Sequence, residues 1–72
     1  MTKQQARVIV SLADTSMNLS ATARKLFVHI NTIDYHICRI HQETGKNPKN
    51  FYDLWDLLPT ALETLRVGGN HD

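Results

Sequence analysis

Apolar and polar side chains alternate with the period of an α-helix along most of the 72-residue chain. In residues 3–13 the apolar positions recur every three or four residues, at Ala6, Ile9, Val10 and Ala13. The short polar side chains at 14–16 and at Asn18 then favour a turn, because they compete with a helix for backbone hydrogen bonds. A second helix of about two turns is predicted to follow, with Ser20 as its N-cap and Leu26 on its inward side.

The third predicted helix covers residues 32–43. Its inward positions recur with helical spacing at Ile33, Ile37 and Ile40. Asn31 is the expected N-cap, and Gly45 is expected to close the helix in the left-handed conformation that glycine adopts most easily.

A fourth helix is predicted after a turn at 47–49, with Asn50 as its N-cap. It carries the broadest apolar stripe of the chain, at Phe51, Leu54, Trp55, Leu58, Leu62 and Leu65. Pro59 interrupts this stripe, so we expect a kink or break there. Residues 67–72 lack periodicity and are predicted to form a frayed tail. Since no strand pattern occurs, the predicted fold class is an all-α bundle of about four helices.

Length and composition limit the class of protein. Seventy-two residues make a single domain, predicted over 1–72, with too little chain for an evident active-site pocket, and we predict no enzyme and no cofactor. Cys38 is the one cysteine, so an internal disulfide is excluded. No apolar run approaches the roughly 18 residues that a membrane span requires. We therefore expect a cytoplasmic domain without a membrane partner.

The net charge of +1 conceals an uneven distribution. Residues 20–49 contain five lysines and arginines against two carboxylates, whereas 50–72 contain one arginine against four carboxylates. A basic middle segment is one of the features of a nucleic-acid-binding protein.

The second and third predicted helices are separated only by residues 27–30, which is the spacing of a helix-turn-helix motif. In that motif the second helix of the pair enters the major groove of DNA, and the first crosses the phosphate backbone. The third helix of the chain is therefore the predicted recognition helix. The candidate phosphate and base contacts are Ser20, Arg24, Lys25, Asn31, Thr32, Tyr35, His36 and Arg39.

The segment 19–40, closed by Thr44 and Gly45, resembles the C-terminal helix-turn-helix domain of PucR-type transcriptional regulators, which has a Fis-like fold. The matching positions are Ser20, Ala23, Val28, His29, Asn31, Thr32, Tyr35, Arg39, Ile40, Thr44 and Gly45. The resemblance implies sequence-specific binding of double-stranded DNA in a bacterial regulator, and it adds His29 to the candidate site. It also implies an N-terminal effector-sensing domain, so the chain is expected to be a piece of a longer regulator.

Three positions depart from the family pattern. Ile30 and His36 stand where the family tends to have arginines, and Glu43 stands where an apolar residue is usual. Each lost phosphate contact lowers the salt slope of DNA binding by about 0.9, so weaker non-specific binding is expected. His36 restores one charge when it is protonated, which predicts tighter binding near pH 6 than near pH 8.

Structural interpretations stand beside these functional ones. Asn31 can act as a helix cap alone, and exposed cations can be an ordinary solvated surface. His36, Cys38 and His41 do not share one helix face, and no second ligand pair accompanies them, so no metal site is predicted. The alternative function is a helical protein-interaction module, with a homodimer formed through the fourth helix.

Overall fold

The computed structural model describes residues 1–68 of the chain, with side chains through residue 66. Its helices are α1 (Lys3–Asp14), α2 (Leu19–Leu26), α3 (Ile30–Thr44) and α4 (Phe51–Gly68). The described residues contain no strand, and the predicted all-α bundle is confirmed. None of these helices is long and apolar enough to cross a membrane.

α1 begins with a reciprocal cap between Thr2 and Gln5. Thr2 Oγ1 accepts a hydrogen bond from the Gln5 backbone N–H at 3.1 Å, and Gln5 Oε1 accepts one from the Thr2 N–H at 2.9 Å. These two bonds satisfy backbone donors that have no partner within the helix.

The N-cap of α2 is Asn18 and not Ser20. Asn18 Oδ1 accepts the Ala21 backbone N–H at 2.8 Å, and the extended backbone of Asn18 is the conformation of a cap. Ser20 lies inside the first turn of α2, where it is exposed. The prediction that Ser20 caps this helix is therefore wrong.

The third helix also begins earlier than predicted. His29 is its N-cap, and its Nδ1 accepts the Asn31 backbone N–H at 3.0 Å. Asn31 therefore lies within the first turn of α3, and the prediction that it caps the helix is wrong. Gly45 closes α3 with a φ of 75°, as the sequence predicts.

α4 is continuous through Pro59, so the chain has no break there. A proline leaves the carbonyl four residues earlier without its helical donor, and here that residue is the exposed Trp55. Asn50 Oδ1 accepts the Asp53 N–H at 3.1 Å, which agrees with the predicted start of the helix. The helix extends to Gly68, two residues into the segment predicted to be frayed, and 69–72 lie outside the described residues.

α1 is the central helix of the bundle. It packs against each of the other three helices, whereas α4 packs against α1 alone among the described helices. The buried apolar core is formed by Ala6, Val8, Ile9, Leu12, Ala23, Ile33, Ile37, Ile40, Leu54, Leu57 and Ala61. This arrangement leaves the outer faces of α3 and α4 open on different parts of the molecule.

Candidate nucleic-acid interface

A short turn joins α2 to α3. Phe27 adopts the left-handed conformation at φ 59° and ψ 42°, and the Val28 N–H donates to the Ala23 carbonyl at 3.0 Å. This bond satisfies a carbonyl at the end of α2. Val28 is half-buried, and it lines a cavity of 80 Å³ together with Leu26 and Ile33. The turn thus packs against both helices and fixes their relative orientation, as a helix-turn-helix requires.

α3 presents a buried face to α1 and an open face to solvent. Its buried residues are Ile33, Ile37 and Ile40, as predicted. On the opposite side, four exposed residues follow one another with helical spacing: Asn31, Tyr35, Cys38 and Gln42. We call these four residues the α3 outer face.

The outer face differs in part from the set of residues predicted to point outward. Tyr35 is 59% exposed and Arg39 is also exposed, in agreement with the prediction. Thr32 and His36 are only half-buried rather than exposed, and His36 lines a groove with residues of α1. Cys38 and Gln42 were missed as candidates, although helical spacing from Asn31 and Tyr35 would have identified them.

Most cations of the basic segment are paired with carboxylates. The pairs are Lys25 with Asp14 at 2.8 Å, Arg39 with Glu43 at 2.9 Å, Lys46 with Asp56 at 3.3 Å and Lys49 with Asp34 at 3.2 Å. Arg24 is exposed and has no ion pair or hydrogen bond within the described part of the chain. Exposed pairs contribute about 0–1 kcal/mol, so a phosphate can replace the carboxylate at little cost.

Ser20 and His29 lie at opposite ends of α2. Ser20 is exposed in the first turn of this helix, one turn before Arg24. His29 is exposed as well, but its Nδ1 is engaged in capping α3. A ring nitrogen that accepts a hydrogen bond carries no proton, so the N–H of His29 is at Nε2 and remains available as a donor.

A second open surface lies on α4, which packs against α1 among the described helices. Large apolar side chains are exposed there: Phe51 by 60%, Trp55 by 65% and Leu62 by 51%. Trp55 and Leu58 line two adjoining cavities of 280 and 250 Å³, the first of which reaches Met17 in the loop after α1. These apolar side chains are contiguous rather than singly scattered, and we call the surface formed by Phe51, Trp55, Leu58 and Leu62 the α4 apolar face.

The described side chains include no group of three or more histidine, cysteine, aspartate or glutamate residues that could hold a metal ion. Cys38 is an exposed free thiol on the α3 outer face.

Comparison with known protein families gives a match to the PucR C-terminal helix-turn-helix domain over residues 6–63. The chain belongs to this family. Neither the curated proteins nor the solved structures contain a significant match. Membership in a family of helix-turn-helix regulatory domains indicates a DNA-binding regulatory role for this PucR-type domain, and such domains are in general not enzymes.

The structure explains one departure of this PucR-type domain from the family pattern. Glu43 does not enter the core but accepts a hydrogen bond from Gln5 Nε2 at 2.9 Å and pairs with Arg39. These two donors, that of Gln5 first, hold the pKa of the Glu43 carboxyl below its ordinary value. A polar link between α1 and α3 thus takes the place of an apolar contact.

Ile30, the second departure, is also accounted for by packing. Its side chain is half-buried and contacts the core cluster of the PucR-type domain. The isoleucine thus buries apolar area where α3 begins, which strengthens the packing of the helix start.

Proposed function

We propose that this PucR-type domain reads duplex DNA sequence-specifically, with α3 in the major groove, as part of a cytoplasmic bacterial transcriptional regulator. The observation that carries the proposal is the α3 outer face, which has polar side chains at its start and its end and is open along its length. Asn and Gln pair with adenine through two hydrogen bonds, and Asn31 and Gln42 supply these groups.

The phosphate contacts in this proposal come first from α2. Among the cations of residues 20–49, Arg24 is the one most ready to bind a phosphate, because no carboxylate in the described chain has to be displaced from it. Ser20 and Lys25 lie beside it on α2, and the His29 Nε2–H adds a donor at the turn. Thr32, half-buried in the first turn of α3, is assigned to the same group of backbone contacts.

The phosphate contacts are tested by fluorescence anisotropy with random-sequence duplex DNA at about 50 and 200 mM salt. We expect binding that weakens with salt and is reduced in the double variant Arg24→Ala/Arg39→Ala. Arg66→Ala is the control, since Arg66 lies on α4 and pairs with Glu63. Absence of binding at low salt by folded protein would contradict the proposal.

Base reading is tested by selecting bound sequences from a randomised duplex pool. Asn31→Ala should relax the preference at one base position, at a cost of about 1–3 kcal/mol for the preferred sequence, and leave the salt slope unchanged. Gln42→Ala should do the same at a different position. An unaltered sequence preference in both variants would contradict the placement of α3 in the major groove.

A second candidate function, self-association through the α4 apolar face, is favoured by the exposure of its aromatic residues. Phe51 and Trp55 are 60% and 65% exposed, and Tyr52, whose ring lies edge-on to that of Phe51 with 5.5 Å between the centroids, is 76% exposed. At roughly 150–250 Å² each, they offer about 300–500 Å² per copy, or 600–1,000 Å² for a symmetric pair. This buried area is that of a weak dimer. In a symmetric antiparallel pair of α4 helices, Trp55 of one copy would lie near Leu62 of the other.

The charges of α4 are compatible with such a dimer. Its carboxylates already have partners: Asp53 accepts the Asn47 N–H, Asp56 pairs with Lys46, and Glu63 pairs with Arg66. The proposed partner is therefore a second copy of this chain, because pairing through this apolar face leaves those charges compensated. In the full-length regulator, an N-terminal effector-sensing domain would bring the two copies together.

Sedimentation at increasing protein concentration tests the dimer. We expect dimerisation at concentrations near 1 mM or below, and a blue shift of the emission of Trp55, which is the one tryptophan of the chain. Trp55→Glu should abolish sedimentation as a dimer, whereas Thr60→Glu, on the other side of α4, should not. A wild-type chain that remains monomeric throughout would contradict self-association through this face.

A further inference from the structure

A groove runs between α1 and α3, on the flank of α3 that carries His36 and Arg39. It has a volume of 440 Å³, and its lining includes Lys3 and Gln4 from α1 and His36, Arg39 and Glu43 from α3. The smaller cavity of 80 Å³ next to it is lined by Arg7 and also by His36. The two concavities together form one surface along the flank of α3.

Cations dominate this surface. Lys3 and Arg7 lie one helical turn apart on α1, and Arg39 faces them from α3. Its single carboxylate, Glu43, is already hydrogen-bonded by Gln5 and Arg39. We call Lys3, Arg7, His36 and Arg39 the α1 edge.

Arg7 is the decisive residue of the α1 edge. Its side chain is exposed, and it has no ion pair or hydrogen bond among residues 1–66. A phosphate can therefore bind Arg7 without displacing a carboxylate from it. The core packing of α1 does not require a charge at this position, because Arg7 is not among the core residues.

We infer that the α1 edge binds phosphates of the DNA backbone beside α3, in addition to the phosphates contacted by α2. This inference rests on the proposed function. A helix in the major groove, which is about 12 Å wide, lies between the two sugar-phosphate backbones, so cations along its flank come within reach of phosphate oxygens. An arginine is suited to this contact because its guanidinium binds a phosphate through two parallel hydrogen bonds.

The salt dependence of binding to random-sequence duplex DNA tests the inference. Arg7→Gln should reduce the slope of log K against log salt by about 0.9, which is a roughly 3.5-fold smaller loss of affinity between 50 and 200 mM salt. Arg66→Gln changes the net charge equally but lies on α4, and it should leave the slope unchanged.

A gain of charge provides a complementary test that does not depend on loss of binding. Gln4 is exposed and lines the same groove, so Gln4→Lys should steepen the slope by about 0.9. Thr60→Lys adds the same charge on α4 and should have no effect on the slope. Thermal unfolding of all four variants establishes that each is folded.

The outcomes separate this inference from the proposed function. If Arg7→Gln and Gln4→Lys both bind with the wild-type slope while Arg24→Gln lowers it, the α1 edge does not contact DNA, and the proposed function still stands. If the wild-type chain binds no DNA, both fail. If Arg7→Gln weakens the binding of inorganic phosphate, measured in the absence of DNA, but leaves the slope of DNA binding unchanged, the α1 edge binds free phosphate and the inference is overturned.

Discussion

Gln5 and Glu43 connect the start of α1 to the end of α3 through a hydrogen bond of 2.9 Å between Gln5 Nε2 and Glu43 Oε1. Gln5 is only 6% exposed, and its Oε1 also caps the α1 backbone at Thr2. One amide therefore holds both the beginning of a helix and the contact between two helices.

Replacing this amide should destabilise the fold. We expect Gln5→Ala to lower the free energy of unfolding by about 1–3 kcal/mol. The substitution removes the hydrogen bond that caps the Thr2 N–H, and it leaves Glu43 Oε1 without the hydrogen bond from Gln5. Gln4→Ala, at the exposed neighbouring position, should change it by less than about 0.5 kcal/mol. Urea denaturation of both variants measures the difference, and equal effects would contradict the role of Gln5.

Acidification should remove the stabilising contribution of Glu43. Hydrogen bonds from Gln5 and Arg39 lower the pKa of this carboxyl in the folded protein. A lowered folded-state pKa stabilises the fold at pH values above the ordinary glutamate pKa, and this contribution disappears as the pH falls through the folded-state value. The stability difference between wild type and Glu43→Gln should therefore be largest near neutral pH and shrink in acid. A difference independent of pH would contradict this assignment.

The cap of α2 offers a direct comparison between two neighbouring residues. Asn18→Ala should lower the stability by about 0.5–2 kcal/mol, because the Ala21 N–H loses its acceptor. Ser20→Ala, within the helix, should be neutral or slightly stabilising, since alanine is the better helix former. Thermal unfolding of the two variants distinguishes the caps, and a greater loss in Ser20→Ala would show that the cap lies at Ser20.

The backbone of Phe27 predicts an unusual gain of stability on truncation. Phe27 has a φ of 59° and a side chain that is 95% exposed, so its ring contributes almost no packing. A left-handed conformation costs roughly 1–2 kcal/mol in a residue with a Cβ, whereas glycine adopts it readily. Phe27→Gly should therefore stabilise the domain by up to about 1 kcal/mol.

Phe27→Ala is the control for this effect, because alanine retains the Cβ and thus the strain. Its stability should lie close to that of wild type in the same denaturation experiment. A destabilised Phe27→Gly would indicate that the ring makes a contribution in the folded state that its exposure does not reveal.

The helices could be predicted from sequence because their periodicity depends only on local spacing. Ile33, Ile37 and Ile40 are buried as their spacing predicts, and Gly45 closes α3. The caps were misplaced by two residues because Asn18 and Ser20 are both good cap residues. His29 lies outside the usual set of caps, and only its extended backbone and the hydrogen bond accepted by its Nδ1 identify it.

The candidate site was harder to predict because it depends on contacts between distant parts of the chain. Lys49 Nζ lies 3.2 Å from Asp34 Oδ1, and Lys46 pairs with Asp56. Asp34 Oδ1 makes no hydrogen bond among the described residues. A count of charges along the sequence cannot show that these cations are paired. The half-burial of His36 likewise follows from the position of α1, which periodicity within α3 does not specify.

Among the described helices α4 packs against α1 alone, which bears on how binding sites on DNA would vary. In a dimer through the α4 apolar face, the angle between α4 and α1 determines the distance between the two recognition helices. In the proposed function, the α2–α3 pair determines which bases each copy prefers. Substitutions at the α1–α4 contact should therefore change the optimal number of base pairs between half-sites, whereas the base sequence preferred within each half-site stays the same.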